Sequence, residues 1–336
     1  MHYRPVKDAI ALPLHRFGNF IAGLPGKFSR GILASMGGLA KASYFVPGSP
    51  LPRTVGNFCH AAGRSDPWPV YSQMIRNVEH AALHYATLFR HGRSNLLSQT
   101  VIDPSWAAEY QRFGSANRGL IILVPHCVGA VLSSAGLSNY CPATLLVREP
   151  RSPARCQLML EYVQKLGPKY ILSRNVPPAT VTRNIVRSLR EGQVVVGTTD
   201  VVTRGPDTVE TQAFGERIHS PGWPARISAR FGVPIVPGFI RMDGPQITLL
   251  TAEGYHEADI EKSTQRWVSN FEQWFRRYPS DWDFMLDKHW ARVFSAAPAP
   301  ALQPDRFPSR TRARAHVRNR FNDPVSPGTD GSLTVT

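Results

Sequence analysis

The pattern of hydrophobic positions predicts alternating strands and helices across the middle of the chain. Residues 120–124 form an unbroken apolar run rich in β-branched side chains, which is typical of a strand buried on both faces of a parallel sheet. Similar short apolar runs predict strands at 144–147, 193–198, 233–240 and 246–251. Apolar residues at helical spacing, each set followed by a glycine, predict helices at 158–166, 181–189 and 224–231. This alternation predicts an α/β fold with a largely parallel central sheet flanked by helices.

The flanking regions have other patterns. Residues 70–89 form an amphipathic helix, and an aromatic stripe at 267–275 predicts a last helix that packs on the core. Residues 47–68, rich in proline and glycine, predict a loop. Residues 14–46 are glycine-rich, basic and apolar at roughly helical spacing, which fits a segment in the membrane interface or a helical hairpin on the core. These two interpretations of residues 14–46 are compatible, and the sequence does not decide between them.

Composition divides the chain into three parts: an N-terminal membrane-associating helical segment at 1–68, an α/β domain at 69–296, and a Pro- and Arg-rich tail at 297–336 that we expect to be disordered. Near the N-terminus there is no apolar run of about 18 residues and no signal-peptide pattern, so we expect neither a transmembrane helix nor a cleaved leader.

The net charge indicates an anionic partner. The chain has 39 Lys and Arg against 24 Asp and Glu, a formal charge of +15, which suits an acidic membrane surface or nucleic acid. No nucleic-acid-binding motif accompanies the charge, so the membrane is the better match. The four cysteines lack paired spacing and are predicted to be free thiols in a reducing cytosol. His80 and His84 have the spacing of a metal pair, but a packed or solvated helix face explains them better, and we expect no metal or cofactor.

Polar residues follow the ends of three predicted strands. His126 comes after 120–124, Arg148 and Arg151 come after 144–147, and Asp200 comes after 193–198. The carboxyl ends of parallel strands meet at one edge of a sheet, where ligands bind. A histidine, two guanidinium groups and a carboxylate at that edge suit acyl or phosphoryl chemistry on an anionic substrate. The pattern alone leaves open that the arginines are solvated and that Asp200 caps a helix.

Several sequence blocks occur in an order that resembles a known superfamily. They are LIILVPH (120–126), LLVREP (145–150), GQVVVGTTD (192–200), AFGER (213–217) with GWPARISARFGVPIVPGF (222–239), and a closing YPSDWDFMLDKHW (278–290). In this order they resemble the lysophospholipid acyltransferase superfamily, in the branch of bacterial lipid A late (lauroyl or myristoyl) acyltransferases and phosphatidylinositol mannoside acyltransferases. The resemblance covers residues 119–294.

The resemblance implies transfer of a fatty acyl group to a hydroxyl of a phosphorylated lipid or glycolipid acceptor. The donor would be a thioester of acyl carrier protein or coenzyme A, and the enzyme would be peripheral, at the cytoplasmic face of the inner membrane. His126 would remove the proton of the attacking alcohol, whose own pKa is very high. Arg148, Arg151 and Arg217 would hold phosphate.

The chain departs from the family pattern at one position. The family has an acid five residues after the catalytic histidine, where this chain has Val131, and residues 127–134 contain no carboxylate. Loss of the orienting acid in a Ser-His-Asp triad lowers turnover about 10⁴-fold. Asp200 is the predicted substitute, with Asp243 as a weaker one. Two hypotheses follow: an acyltransferase with a rearranged or weakened dyad, or a non-catalytic relative that binds acyl lipid as partner to an active enzyme.

Overall fold

The computed structural model describes residues 4–114, 119–150, 152–203 and 205–296. Within these residues the helices are α1 (Arg4–Gly23), α2 (Gly26–Ala42), α3 (Leu51–Ala61), α4 (Pro67–His91), α5 (Ser94–Gln99), α6 (Pro104–Gly114), α7 (Ala130–Tyr140), α8 (Pro153–Leu166), α9 (Pro178–Arg190), α10 (Trp223–Phe231), α11 (Ile260–Arg277) and α12 (Lys288–Ala296). The strands are β1 (Thr100–Ile102), β2 (Leu120–Leu123), β3 (Ala143–Val147), β4 (Lys169–Leu172), β5 (Val194–Gly197), β6 (Thr208–Ala213), β7 (Glu216–Pro221), β8 (Ile235–Asp243) and β9 (Gln246–Thr251). Two 3-10 turns, Pro279–Asp281 and Asp283–Leu286, join α11 to α12.

Seven of the nine strands in the described part of the chain form one sheet in the order β1-β9-β8-β2-β5-β3-β4, and β6 and β7 form a separate antiparallel hairpin. All neighbouring pairs are parallel except β8 and β9, which form an antiparallel hairpin. Strand β2 lies between β8 and β5, and every one of its residues is buried, as its unbroken apolar run requires. The predicted α/β class, with a largely parallel sheet flanked by helices, is confirmed.

The N-terminal helices pack around the long helix α4, which contacts each of α1, α2 and α3. Helix α2 approaches α4 closely at Gly37, where an added Cβ would overlap the Glu79 side chain, and Lys41 pairs with the same Glu79 at 2.7 Å. In the described part of the chain, none of the helices combines the length and apolar character needed to cross a bilayer.

The predicted loop at 47–68 is wrong, because this stretch contains helix α3. Val55, Phe58 and Cys59 are buried on one face of it at spacings of three and four residues. Pro52 lies in the first turn, where proline loses no helical hydrogen bond. The proline and glycine content therefore concealed a short amphipathic helix. The tail predicted to be disordered, residues 297–336, lies outside the described residues.

Candidate active site

His126 lies just beyond the carboxyl end of the central strand β2. Val124 still pairs with β5, donating its N–H to Gly197 O at 3.0 Å, but Pro125 has no N–H and ends the ladder. Three residues after His126, Gly129 adopts a φ of 84° and is the N-cap of α7. A Cβ at this position would lie 2.8 Å from the Met242 sulfur. This tight turn holds the histidine at the edge of the sheet.

Asp200 reaches His126 from the neighbouring strand. It follows β5, which pairs in parallel with β2, so both residues lie at the same edge of the sheet. The carboxylate accepts two hydrogen bonds from His126, one at Oδ1 from ring Nδ1 at 2.5 Å and one at Oδ2 from the backbone N–H at 2.9 Å. A carboxylate only accepts, so Nδ1 carries the proton and Nε2 is left as the basic nitrogen. The pair has the geometry of a general base with its orienting acid.

Two indole rings hold the other side of Asp200. Trp282 Nε1 donates to Asp200 Oδ2 at 2.8 Å, and Trp290 Nε1 donates to the Asp200 carbonyl at 2.6 Å. Trp282 is completely buried and stacks on Phe275 with centroids 3.9 Å apart. The carboxylate thus receives three N–H donors and is nearly inaccessible to water, which is how a buried charge is stabilised.

The segment that carries Trp282 is also joined to the histidine loop through the backbone. Val128 N donates to Asp281 O at 2.7 Å, and Asp283 N donates to His126 O at 3.1 Å. Cys127 and Trp282 form an antiparallel bridge between these two bonds. The histidine loop and the segment before α12 are therefore fixed to each other on both sides of the dyad.

The surroundings of His126 raise its pKa. Burial by itself lowers the pKa of His126, but the nearby carboxylates, first Asp200 and then Asp283 and Asp287, outweigh it. The protonated ring is therefore more stable here than in water. This favours the imidazolium that forms when the histidine takes a proton.

His126 also lies in the wall of a cavity of about 890 Å³. The cavity lies between the sheet and the helices α1, α2, α4, α7 and α8, and most of its lining is apolar. On α4 the lining runs from Val78 to Phe89, twelve residues that span about 16 Å of helix. Among the lining aromatics, the ring of Tyr162 packs edge-on against Tyr85 and Phe89, with centroids 5.3 and 4.8 Å apart. A long, mostly apolar cavity beside a base suits a fatty acyl chain.

One histidine and three arginines were predicted for the site, and among the described residues His126 and Arg148 are the two of them that line this cavity. The backbone beside Arg148 is fixed by Glu149, whose buried carboxylate accepts the N–H groups of Ser173, Arg174 and Asn175 at 2.8–3.1 Å. Burial acts to raise the pKa of Glu149, but these donors outweigh it, and the pKa is lowered. The loop after β4 thus holds the loop that presents Arg148.

The other two predicted phosphate ligands are not brought to the site. Arg217 projects from the β6–β7 hairpin with 78% of its side chain exposed, 3.7 Å from Glu210, and lies outside the described residues that line the cavity. Arg151 lies outside the described residues. The lining includes Arg155 instead, on the first turn of α8, which the sequence analysis did not single out.

Val131 and Asp243 are the two other positions that bear on the orienting acid. Val131, in the first turn of α7, is 47% exposed and lines the cavity. Asp243, the weaker substitute, pairs with Arg241 at 3.5 Å at the end of β8. Of the two acids considered from the sequence, Asp200 is the one that contacts His126.

Trp282, Trp290 and Phe284 contact the dyad, and the sequence analysis assigned none of them a role. Their signal was present in the closing block at 278–290, which includes all three. Aromatic residues near the end of a domain are ordinarily core residues, and a pattern does not show that an indole N–H is directed at a carboxylate.

A parallel sheet with a histidine–carboxylate pair at its carboxyl edge, next to a long apolar cavity, defines a class of α/β enzymes that act on acyl chains. Comparison with protein families gives the same class: residues 72–292, or 221 of 336, match the family described as bacterial lipid A biosynthesis acyltransferase. The chain belongs to this family, and the resemblance seen in the sequence is confirmed. A search of curated proteins found no match.

Membership establishes the coarse activity. The protein is an acyltransferase of lipid biosynthesis that uses an acyl donor and a lipid acceptor.

Proposed function

We propose that the protein transfers a fatty acyl group from an acyl thioester to a hydroxyl of a phosphorylated lipid or glycolipid, with His126 and Asp200 as its catalytic dyad. The observation that carries the proposal is the 2.5 Å hydrogen bond between His126 Nδ1 and Asp200 Oδ1 in the wall of an apolar cavity. Asp200, which follows β5, would be the acid that the family pattern has at residue 131.

In this mechanism the acyl chain occupies the cavity and its thioester carbonyl lies near His126. Nε2 removes the proton of the acceptor hydroxyl as its oxygen attacks the carbonyl carbon, and the thiolate of the carrier leaves. Asp200 keeps the proton on Nδ1 and stabilises the imidazolium that forms. The imidazolium then returns its proton to the leaving thiolate. Arg148 and Arg155 provide positive charge for phosphate on the carrier or the acceptor.

We further propose that the N-terminal helices attach the enzyme peripherally to the cytoplasmic face of the inner membrane. Large apolar side chains on α1 and α2 face solvent: Phe20, Phe28 and Leu39 are 60%, 67% and 73% exposed. Lys27 and Arg30 are exposed on the same short stretch of α2. Apolar groups that project beside cations suit insertion into an anionic headgroup region. Several cavity-lining residues, among them Phe17 and Met36, belong to the same helices, so a lipid could pass directly from bilayer to cavity.

The experiment is acyl transfer by the purified full chain on anionic vesicles. Radiolabelled acyl thioesters of acyl carrier protein and of coenzyme A serve as donors. We expect turnover with one of the donors and its loss in His126→Ala. His60→Ala is the matched control, because His60 is exposed on α3 and lies outside the described cavity lining. Zero turnover by wild type with every donor, combined with equal acyl-lipid binding by wild type and His126→Ala, would instead support a non-catalytic binding protein.

A further inference from the structure

The His126 ring has a second partner besides Asp200, and this partner is an aromatic face. The ring of Phe284 lies parallel to the imidazole, with centroids 3.8 Å apart and an angle of 6° between the planes. Phe284 is on the 3-10 turn that follows Trp282. It lies outside the described residues that line the cavity, whereas His126 is one of them.

The contact is held in place by the backbone. The hydrogen bond from Asp283 N to His126 O and the bridge between Cys127 and Trp282 fix the two segments directly beside both rings. The Phe284 side chain is half-buried and begins one residue after the Asp283 hydrogen bond. This pairing fixes the two backbone segments that carry the rings at a short distance from each other.

The geometry is selective for one protonation state. Two neutral aromatic rings prefer edge-on or offset arrangements, because directly stacked faces bring like charge densities together. A cation over an aromatic face is attracted instead by the negative face of the ring. A protonated imidazole stacked as observed here gains this attraction, and a neutral imidazole lacks it.

The charges around His126 act in the same direction. Asp200 lies at the ring edge, and Asp283 and Asp287 flank it on the turns that lead to α12. Arg148 and Arg155 line the same cavity, while the charges that raise the pKa of His126 are those of the carboxylates. The Phe284 face adds to the stabilisation of the protonated ring by the carboxylates. It carries no atom that could accept the proton on Nδ1.

We propose that Phe284 is a positioning residue, which fixes the plane of the His126 ring toward Asp200 and stabilises the imidazolium formed during acyl transfer. The inference rests on the proposed function for its effect on catalysis, while its effect on the His126 ring can be measured without turnover. Since Phe284 lies outside the described cavity lining, its loss affects kcat and leaves KM for the acyl donor nearly unchanged.

The variants distinguish an effect of the aromatic face from an effect of side-chain size. Phe284→Leu and Phe284→Met remove the face and keep an apolar side chain, while Phe284→Tyr keeps the face. Leu286→Ala, an exposed position on the same 3-10 turn, is the matched control. Thermal unfolding of each variant identifies any that fail to fold, and either of the two aliphatic variants suffices for the test.

The first readout is the titration of the His126 ring by NMR, with its signal among the 11 histidines identified by its loss in His126→Gln. In the aliphatic variants we expect the pKa of His126 to fall by about 0.5–1 unit. We expect kcat to fall roughly three- to tenfold, with the acid limb of the pH profile moved to lower pH. Phe284→Tyr and Leu286→Ala should titrate like wild type.

An unchanged His126 titration in both aliphatic variants would overturn the inference, as would an equal shift in Phe284→Tyr. If wild type shows no turnover with any donor, the proposed function fails, and the NMR titration still decides whether Phe284 stabilises the protonated ring.

Discussion

Asp200→Asn tests the proposed dyad with the least structural change, because asparagine keeps the size of the side chain and reverses one hydrogen bond. Asp200 Oδ2 accepts two donors, His126 N at 2.9 Å and Trp282 Nε1 at 2.8 Å. The single oxygen of an asparagine must take this position, since an amide nitrogen cannot accept. The NH₂ group then faces His126 Nδ1 and donates to it. The ring proton moves to Nε2, the atom that must act as the base.

This exchange of tautomers sets the magnitude of the effect. A histidine protonated at Nε2 cannot take the proton of the acceptor hydroxyl. The equivalent change in a serine hydrolase triad lowers turnover about 10⁴-fold, which corresponds to about 5.4 kcal/mol of barrier. Every donor around residue 200 keeps an acceptor, so we expect the free energy of unfolding to change by no more than about 1 kcal/mol. Asp200→Ala is less informative, because three N–H donors would each lose their acceptor at about 1–3 kcal/mol.

The assay is the initial rate of acyl transfer between about pH 6 and 9, with urea unfolding of the same samples. The raised pKa of His126 predicts that the wild-type rate increases with pH through a value above that of free histidine, as the ring loses its proton. ¹⁵N NMR of the ring reports which nitrogen carries the proton in Asp200→Asn. A folded Asp200→Asn protein with a rate within tenfold of wild type would refute the orienting role.

Val131→Glu provides the complementary measurement. It restores the family spacing in the first turn of α7, where the position is 47% exposed and a carboxylate is favourable at the helix N-terminus. The folding cost of this change is therefore small. We expect no rise in rate with Asp200 present, because His126 Nδ1 already has its acceptor. A clear rise would mean that the native dyad is incomplete.

Three further predictions concern other parts of the structure. Burial raises the pKa of Asp281 to about 7, so this carboxyl group keeps its proton in the native state above about pH 4, where it has lost the proton in the unfolded chain. Its effect should lower the free energy of unfolding as pH rises toward 7, by up to about 4 kcal/mol. Urea titrations of Asp281→Asn should show a smaller fall than wild type, because burial raises the pKa of Asp283 to about 7 as well. Tyr162→Ala enlarges the apolar cavity, and competition assays should show a preference for longer acyl donors raised about tenfold, whereas an unchanged preference would mean that the acyl chain does not contact Tyr162. Phe20→Ser with Phe28→Ser should weaken co-sedimentation with anionic vesicles, and added salt should weaken wild-type binding too; binding insensitive to both changes would contradict the membrane role.

The sequence predicted the parts of the fold whose hydrophobic pattern is unambiguous. Strand β2 was evident because each of its residues is buried, and α10 because Gly232 ends it at a φ of 66°. The hairpin β6–β7 was missed, although it turns at Phe214 and Gly215, which both have positive φ, as in a tight two-residue hairpin turn. Helix α7 was missed because it is buried on most sides and shows little amphipathic periodicity.

The site was predictable only as far as strand ends determine positions. His126 and Asp200 follow neighbouring parallel strands, so their proximity follows from topology. Arg217 was chosen from its place in a motif, and its hairpin carries it away from the cavity into solvent. Arg155 was overlooked because it follows the end of β3 by several residues, and its approach to the cavity depends on the direction of α8. Such directions depend on packing between layers, which a one-dimensional pattern does not contain.

In the proposed dyad, Asp200 has the role that the family pattern gives to an acid on α7. An acid on α7 would reach the histidine from the helix that follows it, whereas Asp200 reaches it from the next strand of the sheet. A carboxylate there is buried between layers, and it needs hydrogen-bond donors in addition to the His126 ring. Trp282 and the His126 backbone N–H supply them. The proposed position of the acid therefore depends on the closing aromatic segment, because the Trp282 indole is one of the two donors to the second oxygen of Asp200.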